Sequence, residues 1–203
     1  MGTFILIAII VLTLAGIAAP IIYFGIGKTK GLGRQVTGKW AVDAWTKGVA
    51  LSTSGNTFSF DFPVDPSRLT SVNTIEKTIG GLTVGGNVSI TFEITGKNPV
   101  FIADGLTPQL RIYIGRGRLY SLNQNNAALK IGKQTLTIPL TPDNWKDVTG
   151  VPFNQNDAQK TLFTKAIQTA ELIGPCFGDE HGNAHGVSLA SGSAKFSLIS
   201  FTP

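Results

Sequence analysis

The stretch Gly174–Gly186, "GPCFGDEHGNAHG", holds the sole cysteine and both histidines of the chain beside two carboxylates. A thiolate and two imidazoles suit zinc, with Asp179 or Glu180 as local fourth ligands to Cys176, His181 and His185. His-x-x-x-His puts both rings on one side only in a helix, and Gly178, Gly182 and Gly186 disfavour a helix here. A thiol nucleophile with His181 as base needs something to lower the cysteine pKa, and nothing nearby does so by a visible mechanism. No Gly-x-Ser-x-Gly elbow offers a serine in its place. The reading adopted is a surface loop between two strands, with Cys176 as a small buried hydrophobe near the end of its strand. It assigns no catalytic residue, no metal and no cofactor.

A second constellation is "RIYIGRGRLY", where Arg111, Arg116 and Arg118 interleave with Tyr113 and Tyr120. Aromatic rings stack on sugar faces, and guanidinium forks grip anions. These five residues are the candidate ligand-binding set. The alternative is a solvated hairpin turning at Gly115–Gly117.

The elements around these residues read as strands. Phe58, Phe60 and Phe62 alternate with polar residues, as do Val88, Ile90, Phe92 and Ile94, then Leu110, Ile112 and Ile114, and Leu136, Ile138 and Leu140. Period two marks strands with one face in a core. Gly, Asn, Asp and Pro break them at short intervals, as in an antiparallel sandwich or barrel. Two closing strands are expected around Ser191–Gly192. One helix interrupts, with Ala158, Leu162, Ala166 and Ala170 as its apolar stripe, Phe163 and Ile167 flanking it, and Asn156 or Asp157 as its cap. Trp145 is expected to pack against the sandwich. Trp40 and Trp45 suit either a membrane interface or a core edge.

The N-terminus differs. Phe4–Ile26 carries no charge, and as a helix it would span roughly 34 Å, enough for a hydrocarbon core. It lacks the basic lead and short apolar run of a cleaved signal peptide. The expected organisation is a transmembrane helix over 1–27, a basic tether over 28–39 and a β-sandwich over 40–203. Ala8, Ala15, Gly16 and Ala19 lie together on the helix and suit packing against other membrane-protein subunits.

The formal charge of +5 sits mostly beside that helix. Four of the 17 Lys and Arg, namely Lys28, Lys30, Arg34 and Lys39, precede Trp40, leaving 13 against 12 Asp and Glu. The cluster fits lipid headgroups, and what remains gives no nucleic-acid footprint. The "GKT" at Gly27–Thr29 is no phosphate loop, because Ile22 stands where the first glycine belongs. Basic residues after the helix favour a cytoplasmic domain, but long domains can cross regardless of charge.

The C-terminal third adds a resemblance. Pro139–Thr141, Trp145 with Val148, a helix, and a late His185–Val187 loop before the final strand are similar to jelly-roll β-sandwiches of the galactose-binding-like, carbohydrate-binding-module type. The likeness runs from Asn56 to Phe201 and is specific only after Lys130. It implies a non-catalytic binding or interaction domain, often outside the cytoplasm, with carbohydrate as ligand. The expected fold is therefore all-β: an antiparallel jelly-roll sandwich with one short amphipathic helix, behind a single transmembrane α-helix. The expected role is binding or assembly, as an accessory subunit of a membrane complex; a membrane-anchored carbohydrate-binding module is the alternative, and a metal or catalytic protein using Cys176, His181 and His185 comes third.

Overall fold

The computed structural model describes residues 38–104, 106–115, 118–181 and 185–203. The anchor over 1–27, with Ala8, Ala15, Gly16 and Ala19, lies outside them, as do Lys28, Lys30, Arg34 and Arg116. No helix among the described residues is long and apolar enough to cross a membrane.

Alternating side chains produce two antiparallel sheets. The first comprises β1 (Ala41–Val42), β4 (Ile75–Thr78), β11 (Leu172–Asp179), β6 (Pro108–Ile114), β7 (Leu119–Ser121) and β10 (Trp145–Lys146), in that spatial order, with β8 (Ala127–Ala128) also on β6. The second comprises β2 (Ser52–Ser54), β3 (Thr57–Asp61), β12 (Ser188–Thr202), β5 (Asn87–Ile102) and β9 (Gly132–Pro139). Every apolar residue of the four alternating runs is buried.

Aromatic rings join the sheets. Phe177 of β11 meets Phe60 and Phe196 of the opposite sheet edge-on, with ring centroids 5.7 and 5.5 Å apart. Phe92 stacks on Phe196 at 5.2 Å. Such pairs contribute about 0.5–1.5 kcal/mol each beyond simple burial. Trp145 is fully buried, its indole Nε1 donating to the Pro139 carbonyl at 2.8 Å. Trp40 is also core, whereas Trp45 is 74% exposed.

Three expectations are corrected. The helix, α1 (Asp157–Gln168), is capped by Asn156, whose Oδ1 accepts from the Gln159 N–H at 2.9 Å. Its buried side chains are Phe163 and Ile167, while Leu162 is 54% exposed. The larger flanking residues seat the helix, so its apolar stripe is rotated by one position. Secondly, Ser191–Gly192 is no turn. β12 runs through it with register shifts at Leu189/Ser191 and Ser191/Ser193. Gly192 takes φ +81° there, and a Cβ would strike the Asn98 carbonyl, so the glycine serves a β-bulge. Thirdly, the strand that holds Cys176 does not end there but runs on to Asp179, so Phe177–Asp179 is strand rather than loop, and it lies near the middle of the first sheet.

Candidate functional site

Directly opposed residues of an antiparallel pair point to the same face. Phe177 lies against Leu110 and faces the core, so Cys176 and its opposite, Arg111, face outward, as do Gly174 and Tyr113. Register carries the outward row onward: Tyr113 opposes Tyr120, and Tyr120 opposes Lys146. On the other side, Ile173 opposes Lys77, which brings Glu76 beside Gly174. Glu76, Gly174, Tyr113, Tyr120 and Lys146 thus form one row across five strands. Four strand spacings make it roughly 19 Å long.

Gly174 is the floor of this row. A Cβ there would run into the Ile75 carbonyl and sit 3.0 Å from the Glu76 Cα. The half-buried tyrosines flank it, ring centroids 5.2 Å apart and tilted by 41°. Among the described residues, no group donates to the Glu76 carboxylate and neither phenol is hydrogen-bonded.

Charge divides the row. Burial, and then the Asp43 carboxylate, raise the Glu76 pKa. Burial chiefly raises Tyr113, with Glu76 adding to it, and burial pushes Tyr120 up to about 12. Both phenols therefore stay protonated at neutral pH, able to donate and accept. At the far end Lys146 Nζ donates to Asn123 Oδ1 at 2.9 Å. Burial and the nearby Arg111 charge lower its pKa.

The arginines part company. Arg111 is fully buried, its Nη2 donating to the Asp179 carbonyl at 2.9 Å and its guanidinium 6.0 Å from the Tyr120 ring centre. It packs beside the Tyr120 ring and offers no surface to a ligand. Arg118 is exposed and takes φ +47° at the hairpin turn. Lys39 is exposed too.

Cys176, His181 and His185 belong to different surroundings. Cys176 is fully buried, and burial pushes its thiol pKa up, which disfavours a thiolate nucleophile or ligand. His181 is exposed just beyond β11. His185 Nδ1 lies 3.0 Å from Asp104 Oδ2, and Asp104 also pairs with Arg68. Arg68 in turn donates to the His185 and Gly186 carbonyls at 2.8 and 3.0 Å, tying this loop to the 65–71 segment. No group of three or more His, Cys, Asp and Glu side chains among the described residues could hold a metal ion.

Sequence reasoning missed Glu76, Gly174 and Lys146. The signal for Glu76 was present in "TIEKTI", where Ile75, Lys77 and Ile79 alternate with Glu76 and Thr78. Lys146 and Gly174 join the tyrosines only through pairing between distant strands.

No family model matches the chain, and no curated protein matches it. Among solved structures, a xylan-binding module, CBM15, is similar at a TM-score of 0.30 and 11% identity, over 83% of this chain and 95% of that one. So loose an overlap carries no argument about function, which is read from the outward face itself.

Proposed function

We propose that the sandwich is a non-catalytic binding domain that takes a neutral saccharide on the outward face of its seven-stranded sheet. The observation that carries this reading is the row itself: two half-buried tyrosines over a glycine floor, beside a carboxylate to which no described group donates. Aromatic faces stack on the carbon faces of sugars, while a carboxylate and two phenols meet hydroxyls of either hydrogen-bonding sense. The Glu76 carboxylate, with Asp43 near it, disfavours an anion. Glycan-array binding by the full chain, repeated with Tyr113→Ala and Tyr120→Ala combined, tests it. Binding is expected and should vanish in the double variant; glycan binding that survives both changes removes this site.

The assembly role is a wider proposal supported by sequence alone. Phe4–Ile26 would hold the domain at a bilayer, with Lys28, Lys30, Arg34 and Lys39 at the lipid headgroups and the small-residue helix face against other subunits. Tethering would raise the effective concentration of the binding face toward anything held on the same surface. Protease protection on intact vesicles reports which side the domain occupies. Recovery of the chain in the soluble fraction would exclude the anchor.

A further inference from the structure

Lys77 points into the molecule. It stands between the buried Ile75 and Ile79, so the alternation that buries the isoleucines carries the lysine toward the gap between the sheets. Only 6% of it is exposed. Its Nζ donates to Asn56 Oδ1 at 2.7 Å and lies 5.8 Å from the Trp40 ring centre. Among the described residues no carboxylate pairs with it. A nearly buried ammonium without a counter-charge is costly to a fold.

A cavity of about 180 Å³ adjoins that ammonium, lined by Lys77, Asn56, Ile79, Phe201 and Pro203. A second, of about 160 Å³, shares Ile79 and Pro203 and continues along Leu82 and Leu140. We propose that the Lys77 cavity is a binding site for a small carboxylate carried on an apolar body. An ammonium has three N–H donors; the Asn56 amide takes one, and the Trp40 face engages the charge without accepting a conventional bond. A carboxylate supplies both the missing charge and an acceptor. The remaining walls are hydrocarbon and aromatic, which suits an alkyl or aryl body rather than a hydrated inorganic anion. Lys77 and Glu76 are chain neighbours on opposite faces of β4, so this site is separate from the tyrosine row and independent of saccharide binding.

The test is a titration of the full chain with benzoate, benzyl alcohol and inorganic phosphate, read by calorimetry and by the resonances of the Lys77 side chain. Benzoate is expected to bind and to shift those resonances, with benzyl alcohol and phosphate much weaker. Lys77→Met should abolish the effect. Because removing the lysine can disturb folding, Asn56→Asp provides a second arm: it preserves shape and gives Lys77 a carboxylate of its own. It should raise the thermal midpoint of the free protein and weaken benzoate by about tenfold or more, the worth of one charge-assisted hydrogen bond. The proposal is overturned if benzoate does not bind, if benzyl alcohol or phosphate binds as well as benzoate, or if Asn56→Asp leaves benzoate affinity unchanged.

Discussion

Tyr113 and Tyr120 face each other across β6 and β7, their ring centres 5.2 Å apart and tilted by 41°. Neither phenol is spent on another described residue. If the rings supply stacking and the hydroxyls supply hydrogen bonds, the two contributions can be separated. Tyr113→Ala or Tyr120→Ala should weaken saccharide binding by about tenfold or more, the usual cost of deleting an aromatic anchor. Tyr→Phe at either position should cost only about 0.5–1.5 kcal/mol, the value of one neutral hydrogen bond. Calorimetric titration of the single variants checks this. Equal losses for Phe and Ala would point away from stacking.

Glu76 is expected to show opposite effects on stability and binding. Burial and Asp43 raise its pKa, so the ionised form is less favourable in the fold than in the unfolded chain. That cost is present at neutral pH and is relieved as pH falls through the raised value. Glu76→Gln should therefore raise the denaturation midpoint at pH 7, with the gain shrinking as pH falls through the raised value and gone below about pH 4, where the unfolded carboxyl is protonated too. The same variant should bind saccharide less well. A stabilised variant with full affinity would remove Glu76 from the site.

Asp65 carries the reverse sign. Its carboxylate accepts from the Ser67 hydroxyl and backbone and from the Thr70 backbone N–H at 2.7 Å and hydroxyl at 2.9 Å. The Ser67 hydroxyl and then the Thr70 N–H hold its pKa far below the usual carboxylate range. This stabilisation is fully present above about pH 4 and is lost as pH falls from there toward the depressed value. Asp65→Asn should lower the midpoint at pH 7, and the difference from wild type should narrow with acid. Denaturation curves from pH 7 to pH 2 read the effect.

Gly174→Ala should destabilise by about 1–3 kcal/mol, because the new methyl meets rigid backbone at Ile75 rather than a side chain that can turn aside. A shift in urea midpoint with unchanged slope is the expected signature.

The strands that build the core were legible because each alternates over several residues with one face apolar. Their pairing was not. β5 continues past Gly96 and Pro99 to Ile102, although both read as strand breakers; Gly96 keeps a regular pairing with Ala194, and β12 bulges opposite Pro99 between Ser191 and Ser193. The helix register failed for a related reason, since four alanine or leucine positions formed a tidy pattern while two larger side chains, Phe163 and Ile167, decided the docking. At the site, the tyrosines announced themselves by type and spacing. Arg111 looked equally exposed on paper, but its burial follows from a place in the sheet opposite Cys176, which links positions 65 residues apart. Lys77 was passed over because a lysine among isoleucines reads as a surface residue until its strand is given a face.

β12 sits between β3 and β5, strands made far earlier in synthesis. Until residues 188–202 leave the ribosome, those two ribbons have no common partner and their Phe60 and Phe92 rings have no Phe196 to close on. The nascent domain must therefore wait, apolar faces open, for its keystone strand. A ribosome stall before Ser188 would leave the second sheet in two halves, β2 with β3 and β5 with β9.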